Sequence, residues 1–217
     1  MSLREKLEAQ KLESARRFGP DVVRLFENFI EHLAATRLTQ SSLKAGDRIP
    51  DFMLPDSSGR LVSSQELLER GLLVIGFFRG DWCPYCTLEL EALQDSLGEI
   101  AACGATLVAI TPDTGAAFAS LEKRRNLGFT VLSDADNGLA LQFGVAYRVP
   151  DSIRQLYLKI GLDLSARHGN VAWFLPIPAT YIVDRHGIVR HAALDVDFRE
   201  RMEPVAIVDL LRWLAAE

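Results

Sequence analysis

Cys83 and Cys86, separated by Pro84 and Tyr85, are the residues whose type and spacing most directly imply chemistry. They close the stretch Phe77-Phe78-Arg79-Gly80-Asp81-Trp82-Cys83-Pro84-Tyr85-Cys86. Upstream, Leu72 to Phe78 is a short apolar run; downstream, apolar residues recur at helical spacing, so the thiols fall at a strand-to-helix junction. A thiol attacks only as its thiolate. The unpaired N–H groups at a helix N-terminus carry partial positive charge and favour that form. Cys83 is expected at the cap or first helical position, and Cys86 one turn inside and more covered. That order makes Cys83 the attacking thiol and Cys86 the resolving one, close enough in sequence to close a small disulfide ring. Pro84 suits the first helical turn, where a missing N–H costs nothing.

The pair could instead be half of a zinc site, but zinc needs two further ligands of comparable spacing. Cys103 is alone, and His32, His168, His186 and His191 form no matching pair. A redox pair is therefore expected, with no metal and no cofactor. Cys103 is expected as a small core residue at a helix end. Arg79 has two readings: turned toward the thiols it lowers the Cys83 pKa, and turned outward it is a solvent-facing loop arginine. Asp81 opposes a thiolate and is taken as a loop residue or one acting through a neighbour. Trp82 packs beside the site and could shield the thiolate from water. Glu89 is expected on an exposed helix face; turned inward, it could serve in proton transfer. Asp184 and His186, in Asp-Arg-His-Gly, read as a hairpin turn and not as a catalytic pair.

The chain has 217 residues, enough for one large domain, or one with an extension. Hydrophobic residues make up 48% and charged residues 24%, as in ordinary globular proteins, and the net charge of −5 gives no electrostatic reason to expect nucleic acid or an anionic membrane as partner. Lys123-Arg124-Arg125 reads as a solvated helix face. Three cysteines do not make a disulfide framework. The charged, helical N-terminus lacks an apolar signal-peptide core, and no run reaches the roughly 18 apolar residues of a spanning helix. A cytoplasmic protein is expected, where thiols are kept reduced and a Cys-x-x-Cys is catalytic, redox-sensing or metal-binding.

The remaining sequence supplies the elements that must position the pair. Residues 1–45 read as a helical N-terminal extension: a charged helix over 2–17, Gly19-Pro20, then a helix capped by Asp21 with Val22, Phe26, Phe29, Ile30 and Leu33 on one face. Asp51 to Leu54 and Leu61-Val62 read as short strands around a Pro55–Gly59 turn. Ser63 or Ser64 caps a helix that runs to Arg70 and stops at Gly71. Strands follow at 72–78, 105–110 and 129–132, with helices from Cys83 to Gly104, from Thr114 to Asn126 and from Asn137 to Phe143. That alternation implies a parallel arrangement with helices on both faces. Residues 148–177 interrupt it with an amphipathic helix (Ile153, Leu156, Tyr157, Ile160) and the apolar segment Val171–Leu175. A hairpin over 178–191 and a helix over 204–216 close a domain spanning 46–217.

The run from Gly46 to Arg60, and Phe77-Phe78-Arg79 followed by Cys-Pro, resemble the alkyl hydroperoxide reductase/thiol-specific antioxidant family, the peroxiredoxins. Trp82-Cys83-Pro84-Tyr85-Cys86 with Glu89 three on, and Pro178 to Asp184, resemble thioredoxin and its relatives. The resemblance implies a thioredoxin-like α/β fold, with a mixed sheet between helices. It also implies that Cys83 is the peroxidatic cysteine, re-reduced through a Cys83–Cys86 disulfide by a thioredoxin-like or small-thiol donor. Two departures stand out. The hydroxyl residue and the proline that peroxiredoxins place three and seven residues before the cysteine are here Gly80 and Gly76. The arginine expected before the late strand is Pro178, which instead resembles the cis-proline that faces a thioredoxin disulfide. The expected function is therefore hydroperoxide reduction. The alternatives are dithiol–disulfide exchange on protein or small-molecule disulfides, and a non-enzymatic redox sensor or scaffold. The apolar faces of 20–35 and 171–177 have two readings, a homodimer interface and intramolecular core.

Overall fold

The computed structural model describes residues 1–216. Two helices come first. α1 (Leu3–Phe18) is opened by a capping box in which Ser2 and Glu5 satisfy each other's backbone N–H groups. α2 (Pro20–Ala35) starts with Pro20 in its first turn after Gly19, whose φ of 77° breaks the chain direction. Asp21 does not cap α2: the cap position is Gly19, and Asp21 lies in the first turn facing Arg24 at 3.4 Å. The antiparallel pair β1 (Met53–Pro55) and β2 (Leu61–Ser63) leads into α3 (Ser64–Glu69), capped by Ser63.

β3 (Leu72–Phe77) is the centre of the molecule. Its residues from Leu73 to Phe77 are buried, so the strand is covered on both faces, as its unbroken apolar run requires. α4 (Pro84–Asp95) and α5 (Leu97–Ala102) carry the chain back to β4 (Ala105–Thr111), which pairs in parallel with β3. The single helix expected from Cys83 to Gly104 is thus broken at Ser96, beside Gly98, two residues that favour helix ends. The helix expected over Thr114–Asn126 is likewise two, α6 (Gly115–Ala119) and α7 (Leu121–Arg125). Ser120 divides them: its hydroxyl donates to the Ala116 carbonyl at 2.8 Å and accepts from Arg124, competing with the helical ladder.

β5 (Thr130–Ser133) extends the parallel set beyond β4, and α8 (Gly138–Gln142) follows. The interruption at 148–177 proves to be a closed excursion. β6 (Ala146–Arg148) and β7 (Phe174–Pro176) pair antiparallel at its two ends, and α9 (Asp151–Lys159) and α10 (Leu164–His168) lie between. β8 (Ala179–Val183) returns antiparallel against β3, and β9 (Val189–Leu194) pairs with β8 through the Asp184–Gly187 turn. In that turn Asp184 accepts from the His186 and Ile188 N–H groups, as a turn residue should. α11 (Pro204–Ala215) ends the described chain. The sheet order is β5-β4-β3-β8-β9, a mixed sheet flanked by helices with the thioredoxin-like arrangement.

The N-terminal helices pack on this core. Phe29 and Leu33 of α2 are buried, and the Phe29 ring lies 5.5 Å from that of Tyr147 on β6. The Glu203 carboxylate, just before α11, accepts the Arg4 N–H at 2.6 Å. The apolar face of α2 is therefore used within the chain. Among the described residues no helix is long and apolar enough to cross a membrane. Truncating Phe29 to Ala should cost about 3–5 kcal/mol, the usual range for emptying a buried aromatic site. Urea unfolding measures this; a loss well under 1 kcal/mol would mean that α2 contributes little to the core.

Candidate active site

The end of β3 delivers the chain to α4 through Phe78-Arg79-Gly80-Asp81-Trp82. This is the carboxyl end of a central strand, where open α/β sheets place their ligands. Cys83 is the α4 cap with extended backbone, and Pro84 is the first helical residue. Both thiols are free, with Cys83 1% and Cys86 0% exposed. Gly80 explains the missing hydroxyl at its position. Its φ is 138°, and a Cβ there would lie 2.4 Å from Trp82 Nε1 and 2.7 Å from an Asp113 carboxylate oxygen. No serine or threonine fits.

Burial by itself raises the pKa of Cys83. Against that, the Cys86 thiol donates to the Cys83 sulfur, the charges of Arg79 and Arg201 favour the thiolate, and the Cys86 N–H adds a hydrogen bond. The outcome is a Cys83 thiol below the ordinary cysteine range. Burial, the hydrogen bond to Cys83 and the negative charge there hold Cys86 well above that range. The two thiols are thus held apart, Cys83 below and Cys86 above the ordinary cysteine range.

Arg79 settles on the inward reading. It is 1% exposed and donates to the Tyr157 hydroxyl of α9. Its guanidinium lies 4.2 Å from the Phe198 ring centroid and 4.8 Å from that of Trp82. Stacking on aromatic faces holds a desolvated guanidinium in place. Its Nε has no hydrogen-bond partner among the described residues. Trp82 packs over Arg79 and edge-on to Tyr157, 5.5 Å between centroids.

Asp81 turns away from the thiols. Arg167 of α10 donates to it at 2.6 Å and Arg124 of α7 at 2.7 Å, while Arg167 also bonds Asp113 at 2.7 and 2.9 Å. Arg124 is therefore not simply a solvated face; it ties α7 to the thiol-bearing loop. Cys103 is half-buried at the end of α5 and packs against the core.

Glu89 corrects an expectation. It is 4% exposed, not on an open helix face, because three residues after Cys86 it shares that residue's inward side. Burial pushes its carboxyl up to about 7, opposed by the charge of Arg201 and reinforced by Cys86. Arg201 bridges the two: its Nε pairs with Glu89, and its Nη2 donates to Cys86 Sγ at 3.3 Å. The expected cis bond before Pro178 is also corrected, since the described peptides are all trans. Pro178 lines a cavity of about 350 Å³ with Glu89 and Arg201.

On the other side, a cavity of about 470 Å³ ends on Cys83, Pro84 and Arg79. Its apolar wall comes from Val22, Val23 and Phe26 of α2, together with Leu162 and Phe198. Sequence reasoning missed Arg201, Phe198 and Arg167. It also treated Tyr157 only as part of an apolar face; the Cys86–Glu89 spacing was the available signal for the buried glutamate.

The model of the AhpC/TSA family matches residues 45–192. The chain is 34% identical over 103 residues to peroxiredoxin Bcp of Escherichia coli K12, covering 48% of this chain and 65% of that protein. It is 28% identical over 155 residues to the chloroplastic peroxiredoxin Q of Oryza sativa subsp. japonica, covering 71% and 61%. The match therefore spans less than two thirds of the length of these curated relatives. Among solved structures, peroxidoxin BcpB of Mycobacterium tuberculosis superposes with a TM-score of 0.62 at 24% identity, over 80% of this chain and 97% of that one, a likeness of fold.

Three outcomes follow from this geometry. The rate of Cys83 alkylation by iodoacetamide should rise with pH through a midpoint below the ordinary value of about 8.5, because the folded thiol is depressed. Arg79→Met should move that midpoint up by about one unit or more, the scale of losing an adjacent opposite charge. An unchanged midpoint would remove Arg79 from the electrostatics of the thiol. Gly80→Ala should slow alkylation at fixed pH and lower the melting temperature, since the φ of 138° and the Trp82 ring both oppose a side chain there.

Proposed function

The chain belongs to the AhpC/TSA family, and from that premise we propose that it is a thiol-dependent peroxidase. The Cys83 thiolate attacks one oxygen of a hydroperoxide; the O–O bond breaks, the alkoxide takes a proton and leaves as an alcohol, and Cys83 becomes a sulfenic acid. Cys86 then condenses with it, water leaves, and a Cys83–Cys86 disulfide remains. A cellular dithiol of thioredoxin type, or a small thiol, returns both cysteines to the reduced state. The need for such a donor favours a reducing compartment such as the cytoplasm.

The observation that carries this reading is the cavity that ends on Cys83. It leads to a stabilised thiolate that is otherwise closed off, 1% exposed. A small peroxide fits a space of this size, and a thiol so little exposed is less open to a disulfide on the surface of a folded protein. The apolar wall favours hydroperoxides with an apolar substituent. Arg79, whose Nε is not used within the described protein, is the group to orient the peroxide and to meet the charge that develops on its leaving oxygen. The family's arginine is replaced at Pro178, and Arg79 and Arg201 supply positive charge from elsewhere.

Stopped-flow fluorescence tests this directly, with Trp82 beside the thiols as reporter. Reduced protein should react with cumene hydroperoxide about a thousandfold or more faster than free cysteine, the scale that preorganised charge supplies. Cys83→Ser should abolish the reaction, and Cys86→Ser should leave a sulfenic acid on Cys83 that dimedone traps. Peroxide reactivity no faster than that of free cysteine, with rapid consumption of a small disulfide instead, would transfer the assignment to dithiol–disulfide exchange.

A further inference from the structure

Cys86 must lose a proton to act, yet its surroundings hold that proton tightly. Two groups outside the lining of the peroxide cavity meet it: Arg201, which donates to its sulfur, and Glu89, one helical turn on and paired with Arg201. Arg201 comes from the irregular stretch between β9 and α11, and its Nη1 donates to the backbone carbonyls of Phe198 at 2.7 Å and Glu200 at 2.6 Å. Those bonds fix the plane of the guanidinium, so that Nη2 reaches Cys86 Sγ while Nε meets Glu89. The ion-pair side chains are 2% and 6% exposed. A buried ion pair is a poor stability device, because desolvation offsets most of its attraction. The pair borders the cavity of about 350 Å³, whose other charged lining groups are Asp195 and Glu200. That cavity is separate from the one that ends on Cys83.

We infer that Arg201 and Glu89 are the acid–base couple of the second thiol: Arg201 holds the Cys86 sulfur as a thiolate while it reacts, and Glu89 takes and returns its proton. The inference rests on the reading of Cys86 as the resolving thiol. In the closing step the Cys86 sulfur attacks the Cys83 sulfur, the S–S bond forms and the Cys83 S–O bond breaks. The Cys86 proton passes to the Glu89 carboxylate. The hydroxide that leaves Cys83 takes a proton from solvent in the peroxide cavity and departs as water, and Glu89 discharges its proton through the second cavity. Both sulfurs end at the disulfide level, with the hydroperoxide as oxidant. In the reducing direction a dithiol donor attacks the Cys83 sulfur. Cys86 leaves as a thiolate beside Arg201, and Glu89 reprotonates it. Arg201 touches the reacting sulfur and so is catalytic; Glu89 acts beside it as the proton store.

The test uses 4,4′-dithiodipyridine, so that it does not depend on peroxide chemistry. Attack by Cys83 releases one pyridinethione, and closure by Cys86 releases a second. Glu89→Gln should slow the second release about a hundredfold at neutral pH, the usual worth of a positioned acid–base group. It should also abolish the near-neutral limb of that step's pH profile, and leave the first release in place. Glu89→Asp should restore a displaced limb, and Arg201→Met should slow the second release more than Arg201→Lys does. A second-release pH profile in Glu89→Gln identical to that of the parent protein, or equal slowing of both releases, would overturn the inference. Failure of the peroxidase reading shows itself separately, as absent hydroperoxide consumption in the parent protein while closure still depends on Glu89.

Discussion

A thiolate kept out of water must be matched by positive charge that is also kept out of water, and this constraint organises the rest of the structure. The α4 N-terminus offers partial positive charge at Cys83, whose burial opposes the thiolate. The hydrogen bond from the Cys86 thiol and two full charges, Arg79 and Arg201, complete the balance. Each is itself costly to bury, so each brings its own support: aromatic rings and the Tyr157 hydroxyl for Arg79, backbone carbonyls and Glu89 for Arg201. The arrangement is an alternating set of charges and dipoles, and removing any one member leaves a neighbour uncompensated.

That supporting material comes largely from outside the sheet. Tyr157 and Arg167 belong to the excursion between β6 and β7, Phe198 and Arg201 to the stretch after β9, and the cavity wall in part to α2. The stretch after β9 is also held from the N-terminal side: Arg199 pairs with Glu27 at 2.7 Å, and Lys11 approaches Glu200 at 3.6 Å. The family match ends at residue 192, so Phe198, Arg199 and Arg201, like α1 and α2, lie beyond the segment shared with the family model. The common part provides the strand, the helix, the cysteines and Arg79; the flanking parts add Arg201 and, through α2 and Phe198, part of the cavity wall.

The strand-to-helix setting of Cys83 and Cys86, with Cys83 at the cap, was legible because it follows from local sequence: an apolar run, a helix start and a proline suited to the first turn. The excursion at 148–177 was visible as a lapse in rhythm, and Tyr157 was found on the correct helix face. Its hydroxyl contact was not, since that depends on where α9 comes to rest against the thiol-bearing loop. Arg201 gave no signal at all. It lies in a stretch without periodicity, and its position is decided by packing between distant parts of the chain. Glu89 was misread by charge alone; the inward side shared with Cys86 decided otherwise, and Arg201 made that burial tolerable. The helix breaks at Ser96 and Ser120 lay in side-chain hydrogen bonding and local propensity too weak to override an apolar pattern on paper.

The ladder between β6 and β7 fastens both ends of the α9–α10 segment side by side, with Val149 N–H donating to the Trp173 carbonyl at 2.8 Å just inside it. A segment closed at its base in this way is nearly modular. Lengthening it adds loop-closure entropy only slowly, by roughly 0.6 kcal/mol per doubling. This one continuous segment carries both Tyr157, one of the three rings around Arg79, and Arg167, one of the two arginines on Asp81, so exchanging it would retune the surroundings of the reactive cysteine from outside the strand and helix that bear it.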